Sequence, residues 1–401
     1  MILLSIALGL LAAVLLLPTV SDVASLVRIL VRGRARTPAV ATELPRLLFL
    51  VPAHDEELVL SPCLASLKRL RYPPEHLDIV AIADNCRDRT ADIARAAGVR
   101  CLVRTAPHES GKPRAISWAL SQLPVSEYDG IVIVDADTEV DRDFAVHLAA
   151  AAPLAHKALQ PHNGVANPGE NALTRMAAVL SAANHGLAYV LKTGAGLNVP
   201  LSVGMCIGSR VLAAHGWTAY SLCEDWELYA ILTERGIRIE GVPNARIYAE
   251  EAPTLKASAS QRRRWTGGKL TVLLKHGWSL LRSRQTGGLQ KLDSLAELSV
   301  AGPVVHLCLV GLATASAQLL RPPASGWLAA ALLATLVRPA VYTVAALRAD
   351  PEPGRAVRAF AFLPLYAVWR IYVAVTALGM LGDKPWFRTP RQVRSELQHK
   401  P

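Results

Sequence analysis

Two aspartates one residue apart, Asp135 and Asp137, follow an unbroken run of β-branched residues in the stretch IVIVDADTEV. Two other apolar runs end the same way: LLFLV leads to Asp55, Glu56 and Glu57, and IVAIA leads to Asp84. If these runs are strands of one sheet, their carboxylates gather along one edge. In an open α/β sheet that edge, outside the carboxyl ends of the strands, is where ligands bind. Residues two apart on a strand point to the same side, so Asp135 and Asp137 converge if strand geometry persists to the end of the run. Hard carboxylate oxygens so placed suit Mg²⁺ or Mn²⁺, ions that also take phosphate oxygens. A single Asp after a strand can equally cap a helix or form a turn. Three acidic strand ends together favour a ligand.

The elements that must hold these carboxylates are legible between about residues 45 and 250. LPRLLFLVPAHDEE, LDIVAIADNC, VRCLVRT and DGIVIVDAD read as strands, with LSPCLASLKRL, DRTADIARAAG and KPRAISWALSQL as helices between them. Alternating strand and helix predicts an α/β domain whose parallel sheet is covered on both faces. Continuous rather than alternating apolar strands fit that burial. No GxGxxG follows the first strand, which argues against a dinucleotide-binding enzyme.

The chain has 401 residues, a formal charge of +11 and 52% hydrophobic residues. This is too apolar for one soluble domain and predicts membrane segments besides. Residues 1–20 carry no charge and lack the basic start of a signal peptide, so they are expected to form an uncleaved transmembrane helix. Arg28, Arg32, Arg34 and Arg36 lie in a basic linker, 21–44, that faces anionic headgroups and places the following domain in the cytoplasm. No zinc-finger spacing or aromatic RNA-binding signature accompanies the charge, so no nucleic-acid partner is expected. The six cysteines form no CxxC pair, as befits buried thiols in a reducing compartment.

The domain at 45–252 is followed by 253–292, where Arg and Lys mix with Trp and Leu at helical intervals around QRRRW. These are expected to be amphipathic helices in the membrane interface, an ordinary surface helix being the other reading. A C-terminal transmembrane region, 293–382, holds candidate spans at about 296–320, 326–347 and 357–381. Its Arg338 and Arg370 are expected to face protein, a cavity or the interface. Three full spans would put the basic tail, 383–401, outside, so the last segment is expected not to cross fully. The expected location is the inner (plasma) membrane, multi-pass, with a cytoplasmic catalytic domain.

The segments VPAHDEE, ADNCRDRTADIARAAG, GKPRAISWAL, VDADTEV, GMCIGSR, CEDWEL and QRRRW occur in the order expected of a family-2 glycosyltransferase. Over roughly residues 45–270 the chain resembles the membrane-bound inverting branch that includes cellulose, chitin and hyaluronan synthases. Ceramide glucosyltransferases share part of the pattern. DxD alone is a weak signal, but DxD, ED and QxxRW in this order and spacing are specific.

The resemblance implies a GT-A (Rossmann-like) nucleotide-sugar-binding domain, a UDP-sugar donor, a lipid or glycan acceptor and Mg²⁺ or Mn²⁺. It makes Asp137 the metal ligand, Asp135 and Asp84 nucleotide contacts, and Ala53, His54 and Glu56 the cradle of uracil and ribose. The family's usual Asn-Glu reads Asp55-Glu56 here, which leaves Asp55 without a role. Lys112, in the GKxxA position, matches a diphosphate contact, unless it is an exposed lysine at a helix start. Asp225 matches the catalytic base, whose carboxylate must be raised in pKa by burial to work near neutrality. It could also cap the helix WELYAILTERG. Gly204, Met205 and Glu224 fall where the acceptor is contacted, although GMCIGSR also reads as a Gly-rich turn. Gln261, Arg264 and Trp265 match QxxRW, with a guanidinium for pyrophosphate and an indole for stacking on donor or acceptor sugar. Arg262 and Arg263 fall at variable positions and are expected to face headgroups or solvent.

Two outcomes fit such a chain: addition of one or a few sugars to a membrane-embedded acceptor, or processive polysaccharide synthesis with export. QxxRW favours the second. At most about four spans favour the first, since a polymer channel needs more helices or a membrane partner subunit. A reading of another class is a nucleotide-sugar-binding component of a secretion complex without turnover, which intact motifs disfavour.

Overall fold

The computed structural model describes residues 1–35, 43–300 and 302–382. Arg36 of the basic linker and the tail 383–401 lie outside the described residues.

β1 (Leu47–Ala53) is the run LLFLVPA, and every one of its residues is buried. Its side chains feed two cores. Leu47, Phe49 and Val51 pack with Leu60, Leu64 and Phe144 on one face. Leu48 and Leu50 pack with Ile116, Ile131 and Tyr229 on the other. A strand covered on both faces requires such a continuous apolar run. β2 (Leu77–Asp84), β3 (Arg100–Arg104) and β4 (Gly130–Ile133) join it in the order β3-β2-β1-β4, all parallel. The helices Leu60–Lys68, Thr90–Ala96 and Lys112–Ser121 lie where the sequence predicts them. The register sets Ala53 beside Ala83, so β1 and β2 finish at one edge.

Past β4 the sheet is mixed, not parallel throughout. β5 (Thr138–Val140), β6 (Ala158–Val165), β7 (Cys206–Gly208) and β8 (Ile239–Ala249) complete the order β4-β7-β6-β8-β5. β7 runs antiparallel to β4 and β6, and β5 antiparallel to β8. A parallel neighbour needs a crossover connection. β7 is a three-residue strand entered from the 195–205 loop, so nothing obliges it to run parallel. β4 also stops earlier than the apolar run suggests. A turn begins after Val134, in which the Thr138 amide and hydroxyl donate to the Asp135 carbonyl at 3.1 and 2.7 Å. Asp135 and Asp137 are therefore presented by a turn, not by a continuing strand.

Among the described residues four helices, Ile2–Arg32, Pro303–Leu320, Ser325–Ala349 and Pro353–Met380, are long and apolar enough to cross a membrane. The polar helix Gly288–Ser299 takes the start of the span expected from 296. Between sheet and apolar helices runs Leu255–Arg282, capped by Thr254, whose hydroxyl accepts from the Ala257 amide at 3.2 Å. Gly267 and Gly268 let it touch two partners at once. A Cβ on Gly268 would lie 2.3 Å from Cys223 Sγ, and one on Gly267 2.7 Å from the Ala377 carbonyl. These glycines clamp the QRRRW segment between the start of the Glu224–Glu234 helix and the last apolar helix. The same long helix exposes Leu274, Trp278 and Leu281 on its outer side, with the Arg282 guanidinium 4.5 Å from the Trp278 ring centre.

Candidate functional site

A cavity of about 650 Å³ starts at the carboxyl edge of the parallel strands. Ala53, His54, Glu56, Asp84, Asp135 and Asp137 wall that end, and the cavity continues past Asp225 to side chains of the apolar helices. The loops after β1 and β2 interlock to form the edge. His54 Nδ1 donates to the Asp84 carbonyl at 2.7 Å, the Glu56 amide to Thr90 Oγ1 at 2.8 Å, and the Arg87 amide to Asp55 Oδ1 at 2.7 Å. Asp55 adopts φ 54°, a left-handed turn conformation that Asp tolerates better than most residues. Asp55 and Glu57 thus fasten loops. The Asp55, Cys86 and Asp88 ligand atoms lie within 4.8 Å of one another. Here too the carboxylates accept backbone amides, and burial lifts the Cys86 thiol to about 11.

Asp84 is buried at the end of β2 and takes a charge-assisted bond from Arg104 Nη1 at 2.7 Å. Lys112, first residue of its helix, reaches two carboxylates: its Nζ lies 2.6 Å from Asp135 Oδ1 and 2.9 Å from Glu224 Oε1. Burial works against the Lys112 charge, but Asp135 and Glu224 outweigh it and hold the ammonium above its usual range. Lys112 is therefore no exposed helix-start lysine. Asp225 sits in the first turn of the Glu224–Glu234 helix and caps nothing at its N-terminus. Its Oδ1 accepts the next amide, Trp226 N–H, at 2.8 Å. Burial, then Glu224, push its carboxyl up to about 7, against the lowering influence of Lys112. A carboxyl that titrates near neutrality in a cavity is suited to taking a proton at working pH.

The long helix supplies the other wall with Gln261, Arg264 and Trp265. Arg264 Nε is buried without a hydrogen-bond partner among the described residues. A buried unpaired guanidinium N–H is costly unless an incoming ligand pairs with it.

Residues 45–268, more than half the chain, match the family model described as glycosyltransferase like family 2. The chain belongs to glycosyltransferase family 2. It is 29% identical over 246 residues to a probable glycosyltransferase, YdaM, of Bacillus subtilis, covering 58% of this chain and 57% of the relative. It is 26% identical over 290 residues to a beta-monoglucosyldiacylglycerol synthase of Nostoc, covering 70% and 60%. The chain thus spans less than two thirds of the length of these curated relatives. Among solved structures, the mannosyltransferase PcManGT of Pyrobaculum calidifontis, in complex with GDP-Man and Mn²⁺, superposes with a TM-score of 0.56 at 19% identity. That match covers 94% of this chain and 97% of the other, and shows a shared GT-A fold.

In this glycosyltransferase the cavity gathers Ala53, His54, Glu56, Asp84, Lys112, Asp135, Asp137, Glu224, Asp225, Gln261, Arg264 and Trp265 into one wall system. Gly204 and Met205 do not join it. Gly204 turns with φ 78° against Pro161, and Met205 is packed in the core beside Ile207. From that loop the cavity wall is formed by Ser202 and Val203 instead. Arg262 also departs from expectation. It lines the cavity and pairs with Glu251 rather than facing solvent.

Sequence reasoning missed Glu227. It is buried, its Oε2 accepts the Tyr220 and Ser221 amides at 2.8 and 2.7 Å, and its Oε1 meets Lys275 Nζ at 2.6 Å. Burial alone would raise this carboxyl, yet His276, Lys275 and the Ser221 amide hold it down to about 2. It ties the loop before Glu224-Asp225 to the QRRRW helix. As one more acid in CEDWEL, its spacing carried no signal.

Proposed function

We propose that the chain is a membrane-bound, inverting glycosyltransferase that moves a sugar from a UDP-sugar to a membrane-embedded lipid or glycan acceptor, adding one or a few residues. The observation that carries this reading is the continuity of one cavity. It joins the carboxylate edge, the Asp225 carboxyl and apolar walls such as Met176, Val304 and Tyr366. A water-soluble donor and an amphiphilic acceptor can meet there without either leaving its own medium.

The carboxylates of Asp135 and Asp137, hard oxygen donors with a neighbouring lysine, fit a Mg²⁺ or Mn²⁺ ion held with the donor diphosphate. Such an ion, when bound, neutralises charge on the leaving diphosphate. Ala53, His54, Glu56 and Asp84 cradle the nucleoside, and Lys112 and Arg264 face the diphosphate. Trp265, 41% exposed, offers an indole face to a sugar ring. Asp225 accepts the acceptor hydroxyl proton as that oxygen bonds to the anomeric carbon. The bond from that carbon to the phosphate oxygen breaks with inversion, and UDP leaves with the electron pair. The relatives named as glucosyldiacylglycerol synthases support a lipid acceptor. UDP rests on the family resemblance, since the solved neighbour was captured with GDP-Man. Four apolar helices among the described residues support a multi-pass arrangement, and the arginines that follow the first apolar stretch favour a cytoplasmic catalytic domain at the plasma membrane.

The test uses the detergent-purified chain with UDP-glucose, UDP-N-acetylglucosamine, UDP-galactose and GDP-mannose in turn, with a membrane lipid extract as acceptor. Nucleotide release with one donor, abolished by EDTA, by Asp137→Ala and by Asp225→Asn, is expected. A labelled product of glycolipid size is expected, whereas a long polymer would move the reading to a processive synthase. Donor binding without release from any donor would leave a binding component.

A further inference from the structure

The membrane end of the cavity contains a charge that no described carboxylate answers. Arg370 lies on the apolar helix Leu363–Ala377, is only 7% exposed, and lines the cavity. Its Nη1 is buried without a hydrogen-bond partner, and no carboxylate pairs with it among the described residues. The other arginines at this end are answered: Arg262 by Glu251, and Arg338 by Asp22 at 2.7 Å. Burying an unpaired guanidinium among apolar helices is expensive, and such residues mark ligand or ion sites.

Its position relative to the reaction is also fixed. The Arg262 guanidinium stands 5.8 Å from the Trp265 ring centre and 5.9 Å from that of Tyr366, one helical turn before Arg370. Side-chain contacts therefore link the QRRRW tryptophan to the helical turn that carries Arg370, on the wall that the apolar helices supply to the cavity. Met176 and Val304, also cavity-lining, give this end apolar walls.

We infer that this glycosyltransferase takes an acceptor lipid whose polar head carries a phosphate, held by the Arg370 guanidinium at the membrane end of the cavity, rather than an uncharged diacylglycerol. The inference rests on the transfer to a membrane lipid proposed above and adds the acceptor's charge to it. A phosphate head supplies what the site lacks: acceptor oxygens matched to the planar guanidinium fork, and an anion that offsets a buried cation. The attached chains fit the apolar walls.

The experiment reads binding and turnover separately. The full chain, purified in a neutral detergent, is incubated with dioleoyl phosphatidic acid, with dioleoylglycerol or with inorganic phosphate, and retained ligand is counted by native mass spectrometry. One phosphatidic acid per chain is expected to survive. Arg370→Gln should weaken its retention about tenfold or more, the scale of one lost charge-assisted contact. Arg370→Lys should recover part of it, and UDP affinity by calorimetry should not change. Equal retention of dioleoylglycerol would overturn the inference, as would unchanged phosphatidic acid retention in Arg370→Gln. Loss of UDP affinity in that variant would assign the charge to the donor, and inorganic phosphate competing out the lipid at millimolar concentration would assign it to free phosphate. Either result also overturns the inference. If Arg370→Gln does not fold, the comparison of phosphatidic acid with dioleoylglycerol on the unaltered chain still decides. A chain that binds phosphatidic acid through Arg370 yet releases no nucleotide from any donor refutes transfer and leaves this site standing. One that transfers equally well to dioleoylglycerol, Arg370→Gln included, keeps transfer and refutes the site.

Discussion

Two lysines of this molecule each sit between two carboxylates, in regions with opposite tasks. Lys112 bridges Asp135 and Glu224 at 2.6 and 2.9 Å on the cavity wall, where all three side chains keep some exposure. Lys192 bridges Asp293 and Glu297, both at 2.7 Å, in the seam between the sheet domain and the first apolar helix, whose Ser21 hydroxyl also donates to Asp293. The seam cluster is closed at its lysine: Lys192 and Asp293 are buried, and only Glu297 reaches the cavity. Burial opposes charge on Glu297, but Lys192, Lys269 and Arg338 hold its carboxyl at about 2. The cavity cluster is open, because Asp225 and Asp137 line the same cavity beside it, where a ligand can reach them. One arrangement spends its charge on holding helices together. The other keeps a surplus of negative charge that a cation and a diphosphate can rearrange.

The largest effect should come from breaking the open cluster at its base. Asp225→Asn removes the proton acceptor and should lower the transfer rate by about a hundred- to ten-thousand-fold, the usual worth of a general base. Donor binding, measured as UDP affinity in the presence of Mn²⁺, should persist. A variant that loses both would show that Asp225 holds the donor rather than the proton.

Breaking the closed cluster should act on stability instead. Lys192→Met leaves Asp293 buried without the ammonium that pairs it and weakens the hold on Glu297, and should cost about 3–5 kcal/mol, as for other buried pairs that lose one partner. Thermal unfolding in detergent reads this directly. Below the new melting temperature the transfer rate should stay within a few-fold of the original. An equal loss of rate at full folding would mean that the seam is coupled to the chemistry.

Glu227→Gln lies between these extremes. It keeps the shape of a buried side chain that accepts the Tyr220 and Ser221 amides but loses charge opposite Lys275. A loss of about 1–3 kcal/mol is expected, typical of a hydrogen bond to a charged group. A positioning role predicts that kcat falls more than donor KM rises, whereas a purely structural role moves the melting temperature alone.

The parallel half of the sheet was legible because its strands are buried on both faces, which forces runs such as LLFLV and IVAIA. The mixed half was not, because β7 is only Cys206–Gly208 and its direction is set by loop geometry, not by any pattern in CIG. Most of the cavity residues were legible from motif order. Two of the exceptions, Met205 and Arg262, share one cause: side-chain direction. Met205 lies beside a cavity-lining loop yet points into the core, and Arg262 lies at a variable position yet points into the cavity. The buried Lys192 network was invisible for a related reason, since its partners come from helices about a hundred residues apart.

The finest test of the comparison is a pH profile. Because the Asp225 carboxyl titrates at about 7, the single-turnover rate at saturating donor should be flat above that pH and fall as pH drops through it, when the base becomes protonated. Lys112 lowers that pKa, while Glu224 and Asp135 raise it. Lys112→Met removes the lowering charge and unmasks two carboxylates, so the midpoint should move up by roughly one unit. Stability follows the opposite course. A carboxyl raised in the folded state binds its proton more tightly there than in the unfolded chain. Its favourable contribution is present below the ordinary carboxylate range and disappears as pH rises through about 7. Asp225→Asn should therefore melt higher than the original chain above pH 7 and lose that advantage near pH 4, the ordinary carboxylate value. A profile in Lys112→Met that keeps the original midpoint would mean that the two charges do not communicate, and that the cavity cluster is as closed as the one at Lys192.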